Sequence, residues 1–301
     1  MPPARSLNQT ESSGVNLRAQ KKPKLGQNFL ADPGAAEKIV EALGEIAQTL
    51  VVEIGPGKGV LTKLLAARAG RLIAIEVDRM LATELRYRYS RDPRVEVLEG
   101  DVLRVDFRTV LNRTIGPLND LRPLKPSRAR LIGNLPYYIT SDILLRLFEF
   151  HDQFELIVIM VQREVADRIA AKPGSRDYGL LSATAQLYAK VEKLFTLPPG
   201  AFAPPPKVHS SVLRLTIAPR FAELQVQPGE FFRFLKTAFA MKRKTLVNNL
   251  KKSYAQDAIR AALKASSIRA DARAETLSLE TMAAIFRALT QSPNEPARAR
   301  P

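Results

Sequence analysis

The stretch Leu50-Val51-Val52-Glu53-Ile54-Gly55-Pro56-Gly57-Lys58-Gly59 decides how this chain reads. An apolar run of strand length enters a glycine turn, and residues 60–69 continue with helical character. Such a turn lets backbone approach a ligand closely, because a Cβ at those positions would stand in the way. A second apolar run, Arg71-Leu72-Ile73-Ala74-Ile75-Glu76-Val77-Asp78, puts Glu76 at its end, 21 residues after Gly55. A carboxylate there can accept the hydroxyl hydrogens of a ribose. The glycines are spaced G-x-G-x-G, without the third glycine that packs helix on strand in dinucleotide sites. The spacing therefore argues against NAD and for a nucleoside cofactor lacking a pyrophosphate. A third run, Arg94-Val95-Glu96-Val97-Leu98-Glu99, carries Gly100-Asp101 at its tip, where Asp101 can accept from an adenine amine. Glycine, Glu and Asp at three successive strand ends are a stronger sign than any one of them.

Further along, Ala129-Arg130-Leu131-Ile132-Gly133 delivers Asn134-Leu135-Pro136-Tyr137. The Asn134 carbonyl, with the main-chain carbonyl of Leu135 or Pro136, can accept hydrogen bonds from an exocyclic amine. Tyr137 can stack on the flat ring that carries the amine. Adenine combines those features. The structural alternative is an ordinary strand followed by a proline turn.

Composition bounds the partners. The 301 residues carry a net charge of +16, which points to a polyanion. A basic tail accounts for little of it, since residues 1–28 hold five Lys or Arg against one Glu. From residue 219 onward there are 15 basic and 7 acidic residues. Residues 231–252 hold Arg233, Lys236, Lys242, Arg243, Lys244, Lys251 and Lys252 and no acid. A solvated helix face would tolerate mixed signs, so this one-signed run reads as a phosphate-binding surface. Cysteine is absent and only His151 and His209 are present, which leaves no Cys-based or His-cluster metal site. The expectations are no metal, no membrane span, no secretory signal and a cytoplasmic location.

The organisation follows from texture. Residues 1–23 are polar and basic and read as a disordered tail. Asp32-Pro33 is a helix-start signal. Alternating strands and helices from residue 50 to about 171 predict a parallel sheet with helices on both faces. Residues 183–195 and 211–217 read as a closing antiparallel pair around the proline-rich loop 198–206. Beyond 219 the pattern is helical, with helices expected over 229–253, 255–263 and 277–289. The divisions are residues 24–218 for the first domain, 219–292 for a small helical domain expected to bind a polyanion such as RNA, and 293–301 for a flexible tail.

Four blocks carry a family resemblance: Leu25-Gly26-Gln27-Asn28-Phe29-Leu30, Glu53-Ile54-Gly55-Pro56-Gly57, Asn134-Leu135-Pro136-Tyr137, and Phe202-Ala203-Pro204-Pro205-Pro206-Lys207-Val208-His209-Ser210. Through them, residues 24–216 resemble the S-adenosylmethionine-dependent ribosomal RNA adenine dimethyltransferases, and the small-subunit (KsgA/RsmA) family above all. The resemblance implies an α/β Rossmann-like methyltransferase fold of seven strands with a small all-helical C-terminal domain. It implies N6,N6-dimethylation of two adjacent adenosines in a hairpin near the 3′ end of 16S ribosomal RNA, in the assembling small subunit, by a monomer. The catalytic residues would be Asn134, Leu135, Pro136, Tyr137 and Phe202, the last stacking on the second face of the flipped adenine. Asn28, Leu30, Gly55, Gly57, Glu76, Asp101 and Asn134 would bind S-adenosyl-L-methionine. Lys207, Arg233, Lys236, Lys242, Arg243 and Lys244 would meet RNA, although Lys207 equally suits a brace for its own loop. The residue after Tyr137 is often Asn in relatives and is Tyr138 here. The alternatives are a methyltransferase of large-subunit ribosomal RNA and a non-enzymatic RNA-binding assembly or transcription factor on the same fold.

Overall fold

The buried apolar runs of the first half form the strands of one sheet. A computed structural model describes residues 28–114 and 128–291. The expected tails at 1–23 and 293–301 lie outside the described residues, as do Leu25, Gly26 and Gln27. In chain order the strands are β1 (Phe29–Leu30), β2 (Leu50–Ile54), β3 (Arg71–Glu76), β4 (Val95–Glu99), β5 (Ala129–Asn134), β6 (Phe154–Gln162), β7 (Ala189–Leu197), β8 (Phe202–Ala203) and β9 (Ser210–Ile217). Helices α1 (Pro33–Glu41), α2 (Val60–Arg68), α3 (Arg79–Arg88), α4 (Phe107–Thr114), α5 (Thr140–Glu149), α6 (Arg163–Ile169) and α7 (Leu180–Tyr188) alternate with them. Helices α8 (Phe221–Leu224), α9 (Pro228–Ala238), α10 (Leu246–Leu250), α11 (Gln256–Ala265) and α12 (Leu279–Gln291) follow the last strand.

Seven strands pair in the order β4-β3-β2-β5-β6-β9-β7. The first five run parallel, and β9 lies antiparallel to both β6 and β7. β2 and β3 are buried at every position, as strands covered on both faces must be. One face packs through Val52, Ile54, Leu131, Ile157 and Leu215 onto α4, α5, α6 and α7. The other packs through Val51, Leu72, Ile132 and Val158 onto α1 and α2. From β2 the chain winds outward to β3 and β4, and then returns to β2's other side with β5 and β6. That reversal leaves a crevice beyond the carboxyl ends of β2 and β5, the usual ligand position of an open α/β sheet.

Local chemistry starts the helices. Asp32 accepts from the Ala35 amide at 3.0 Å with Pro33 in the first turn of α1, as its sequence signal predicts. Asp78 caps α3 through the Met80 and Leu81 amides. Between the central strands, an added Cβ on Gly133 would lie 2.8 Å from the Ile54 carbonyl oxygen, so only glycine fits that position of β5.

Two expectations about secondary structure require correction. Residues 183–188, expected to belong to a strand, are the second half of α7, and the strand begins at Ala189. Helix α7 is wedged between two cores. Leu181 and Ala185 enter the cluster under the sheet, while Ala183 and Leu187 enter a second cluster built by α8–α12. A helix buried on both sides has no polar stripe, and its sequence loses the 3.6-residue signature. The expected continuous helix over 229–253 is also broken, between Ala238 and Leu246. Thr245 restarts it by accepting from the Asn248 amide at 3.3 Å. Buried Asn249 donates from Nδ2 to the Ala238 and Met241 carbonyls, at 2.7 and 3.2 Å, and so satisfies the end of α9.

Glu53 sits inside β2 and is 1 % exposed, with Oε2 unpartnered. Burial pushes its carboxyl up to about 8; neighbouring Thr62 acts in the opposite sense, and the nearby Glu76 charge adds to the rise. Between its ordinary value of 4.5 and about 8, the folded chain holds a proton that the unfolded chain has lost. Stability therefore falls as pH rises through that window, by up to about 1.4 kcal/mol per pH unit. Glu53→Gln, neutral throughout, should flatten this part of the profile. Urea midpoints at several pH values between 5 and 8 provide the measurement, and parallel profiles for the two proteins would contradict a protonated Glu53.

Candidate active site

The carboxyl ends of β2, β3, β4 and β5 converge on a cavity of about 300 Å³. Its walls include Asn28 and Phe29 from the first block, Gly55 and Gly57 after β2, Glu76 at the end of β3, Asp101 after β4, and Asn134 to Tyr138 after β5. Residues that span more than a hundred positions of sequence thus share one wall, because parallel strands present all their carboxyl ends on the same side.

Each polar group here is held by the protein and keeps further acceptor capacity. Glu76 is 2 % exposed. Its Oε2 accepts from the Gly57 amide at 2.9 Å and its Oε1 from the Asp78 amide at 2.9 Å. A carboxylate accepts more than one hydrogen bond per oxygen, so both oxygens remain able to receive hydroxyl hydrogens. Asp101 uses Oδ1 to accept from the Leu103 amide at 3.0 Å, and Arg104 stands 3.8 Å from Oδ2. Asn134 donates from Nδ2 to the Asn28 carbonyl at 3.1 Å, which fixes the amide plane and leaves Oδ1 as an acceptor. The Pro136 carbonyl already accepts from the Ile139 amide and the Thr140 hydroxyl. No hydrogen bond among the described residues uses the Leu135 carbonyl, which makes it the better second acceptor of the two considered.

The first and last family blocks meet as a two-stranded ribbon. β1 pairs antiparallel with β8, Phe29 opposite Ala203 and Leu30 opposite Phe202. The Ala31 and Asp32 amides donate to the Ala201 carbonyl at 2.8 and 3.2 Å. This strap carries Asn28 to Asn134 and lays Phe29 across the glycine turn. Gly57 has φ +56°, and an added Cβ would lie 2.8 Å from the Phe29 ring. The glycine is needed for its own backbone angle and for the strap, as well as for any ligand. Lys58 Nζ lies 5.0 Å from the centre of the Phe29 ring. Phe29 carries no sequence signal of its own for this role, which depends on the pairing of β1 with β8.

Tyr137 is half-buried, and its hydroxyl lies 2.9 Å from the hydroxyl of fully buried Ser210. That bond joins the Asn134 block to the end of the proline-rich block. Two residues expected at the site, Phe202 and Leu30 (the latter by backbone or side chain), are not among those lining the cavity. Phe202 is 4 % exposed and packs with Leu30, Ala201 and Val212 in the core between the sheet and α1. It does not line the cavity, and in this structure its ring packs the strap against the sheet. Leu30 is likewise buried by its side chain in that core. Lys207, Arg233, Lys236, Lys242, Arg243 and Lys244 are all exposed and away from the cavity. Lys236 covers the Phe232 ring at 5.2 Å, and Lys242 donates to the Arg176 carbonyl.

The comparisons with known proteins agree with this geometry. The family described as "Ribosomal RNA adenine dimethylase" matches residues 18–291. The "Ribosomal RNA small subunit methyltransferase A" of Koribacter versatilis is 60% identical over 274 residues, covering 91% of this chain and 96% of that protein. Its namesake in Acidobacterium capsulatum is 55% identical, covering 91% and 93%. Among solved structures, a dimethyladenosine transferase from Plasmodium falciparum superposes with a TM-score of 0.70 at 25% identity, covering 85% of this chain and 95% of that one. The 23S rRNA methyltransferase ErmE superposes with a TM-score of 0.62 at 25% identity, covering 88% and 100%. The relatives span nearly the whole chain, and the crevice supplies the acceptors and the aromatic ring that an adenine requires: this chain belongs to the ribosomal RNA adenine dimethylase family and is a ribosomal RNA adenine dimethyltransferase.

Proposed function

We propose that the chain uses S-adenosyl-L-methionine to dimethylate N6 of two adjacent adenosines in a hairpin near the 3′ end of small-subunit ribosomal RNA. The small-subunit assignment draws on relatives of that name at 55–60% identity, against 25% for the large-subunit enzyme. The observation that carries the cofactor is Glu76, a buried carboxylate that two backbone amides aim into the cavity. In this reading Glu76 receives the ribose hydroxyls, Asp101 the adenine amine of the cofactor, and the backbone at Gly55 and Gly57 faces its body. Asn28 and Leu30 bring the strap over the methionine end.

When bound, the cofactor supplies an electrophilic methyl group and its leaving thioether. The target amine is a poor nucleophile, because its lone pair is delocalised into the ring. Asn134 Oδ1 and the Leu135 carbonyl accept its two hydrogens and favour a pyramidal nitrogen with the lone pair directed at the methyl. Pro136 sets the turn between those acceptors, and Tyr137 stacks on the adenine while Ser210 holds its hydroxyl. The nitrogen becomes acidic only once it is cationic, so no residue need remove a proton before attack. The exposed cations Lys207, Arg233, Lys236, Lys242, Arg243 and Lys244 contact phosphates, and residues 219–292 act as the RNA-docking unit.

The product itself is the primary test. Labelled S-adenosyl-L-methionine incubated with unmethylated small subunits should yield N6,N6-dimethyladenosine on nucleoside analysis, and labelled cytosine, guanine or protein would contradict the reading.

Three sets of variants examine its parts. Glu76→Ala and Asp101→Ala should each weaken cofactor binding in calorimetry by tenfold or more, because charge-assisted hydrogen bonds contribute about 1.5–3 kcal/mol each. Unchanged affinity in both folded variants would remove the strand-end assignment.

Asn134→Ala should nearly abolish turnover while RNA affinity changes little. Tyr137→Ala should also lose most turnover, whereas Tyr137→Phe should keep the ring and lose only what the Ser210 bond contributes, about 0.5–1.5 kcal/mol. A Phe variant as inactive as the Ala variant would make the hydroxyl, not the ring, the essential group.

Reversing the charges of Arg233, Lys236, Arg243 and Lys244 should weaken binding to small subunits. It should also flatten the dependence of log affinity on log salt by roughly 0.7–0.9 for each phosphate that the variant no longer neutralises. Filter binding across a salt series measures both, with cofactor affinity and melting temperature expected to hold. An unchanged slope would leave those residues as a solvated helix face.

A further inference from the structure

The turn after Tyr137 presents a second aromatic ring. Tyr138 is 68 % exposed and lines the same cavity as Asn134 and Tyr137, at its mouth. Its neighbour's hydroxyl is tied inward to Ser210, but Tyr138 has no hydrogen-bonding, ring or cation partner among the described residues. The two tyrosines therefore differ: both line the cavity, but Tyr137 is half-buried and tethered while Tyr138 is exposed and untethered. Of the other aromatics in the family blocks, Phe29 lies across Gly57 on the glycine-turn side of the cavity and Phe202 is packed in the core, away from its lining.

An exposed ring beside a base-binding crevice suits one ligand chemistry in particular. A nucleotide extruded into the crevice leaves its neighbours unstacked on at least one face, and an unstacked base gains by covering an aromatic side chain. Such stacking tolerates any base, since every base offers a flat face.

We propose that Tyr138 is a second, RNA-facing stacking platform: it covers an unpaired base next to the target adenosine while Tyr137 holds the target itself. The proposal rests on ribosomal RNA being the substrate. Tyr138 is then a binding and positioning residue for the RNA, with no part in holding the cofactor. A small polar residue here would leave the neighbouring base without its cover.

The experiment is steady-state methyl transfer to unmethylated small subunits by the full chain and by Tyr138→Ala and Tyr138→Phe. Cofactor affinity is measured in parallel, by calorimetry with S-adenosylhomocysteine, along with a melting curve for each protein. Tyr138→Ala should raise KM for the subunit by about tenfold or more, the range of one base–aromatic stack. Cofactor affinity and melting temperature should stay within error, and Tyr138→Phe should recover most of the loss. An unchanged KM in Tyr138→Ala would overturn the proposal. So would an equal loss of cofactor affinity, which would make the ring a wall of the cofactor site. A Phe variant as weak as the Ala variant would also overturn it, in favour of a hydroxyl contact. Failure of the wild-type chain to methylate small subunits would instead strike at the substrate, and is read separately from the ratio between variants.

Discussion

The close approach of β5 to β2 is the constraint on which the site depends. Gly133 stands beside Ile54 where a Cβ would lie 2.8 Å from the neighbouring carbonyl. With that approach, the two strands that begin the opposite windings of the sheet end side by side. Gly55 and Asn134 then lie together, an added Cβ on Gly55 falling 3.5 Å from the Asn134 carbonyl. The glycine turn, proposed to face the cofactor, and the Asn134 turn, proposed to hold the target base, become neighbours across one strand pair. Transfer of a small group between two bound molecules needs that proximity before any side-chain chemistry matters.

A second level of order comes from shared hydrogen bonds. The strap of β1 and β8 is only four residues, yet it sets Asn28 against Asn134 and Phe29 against Gly57. Asn134, Glu76, Asp101 and Tyr137 each commit polar contacts to the protein, leaving Asn134 Oδ1, the carboxylate lone pairs and the Tyr137 ring face for a ligand. Groups fixed in this way lose little freedom on binding, and their geometry does not wait for the substrate. Glu53 belongs to the same neighbourhood but not to the cavity wall, and burial keeps it protonated near neutral pH, so it adds no charge beneath Glu76.

The helical region is tied to the sheet through α7. Ala183 and Leu187 on one side and Leu181 and Ala185 on the other put a single helix into two cores. Tyr188 at its end stacks on Phe148 at 5.0 Å and meets Phe221 edge-on at 5.1 Å, which joins α5 to α8. The cations of α9 and the turn after it are thereby carried on a frame continuous with the crevice. Lys242 is partly committed to that frame, because it holds the Arg176 carbonyl.

The sequence by itself determined the parallel sheet, its crevice and most of the crevice's polar groups. These are local signals: a buried strand, a glycine turn and an acid or amide at a strand tip follow one another along the chain. Gly55, Glu76, Asp101 and Asn134 were legible for that reason, as were the Asp32-Pro33 helix start and the one-signed run of cations. Only the tertiary structure decided what depends on distant partners. The pairing of β1 with β8 joins residues some 170 positions apart in two-residue strands too short to leave a periodic pattern. It turned Phe202 from an expected stacking ring into core packing, and made Phe29 part of the cavity wall. Helix α7 read as strand because burial on two sides erased its polar face, and the break after α9 was hidden because Asn249, eleven residues on, closes it. In each case the missing information was which surface covers the residue, and that is a property of the folded chain.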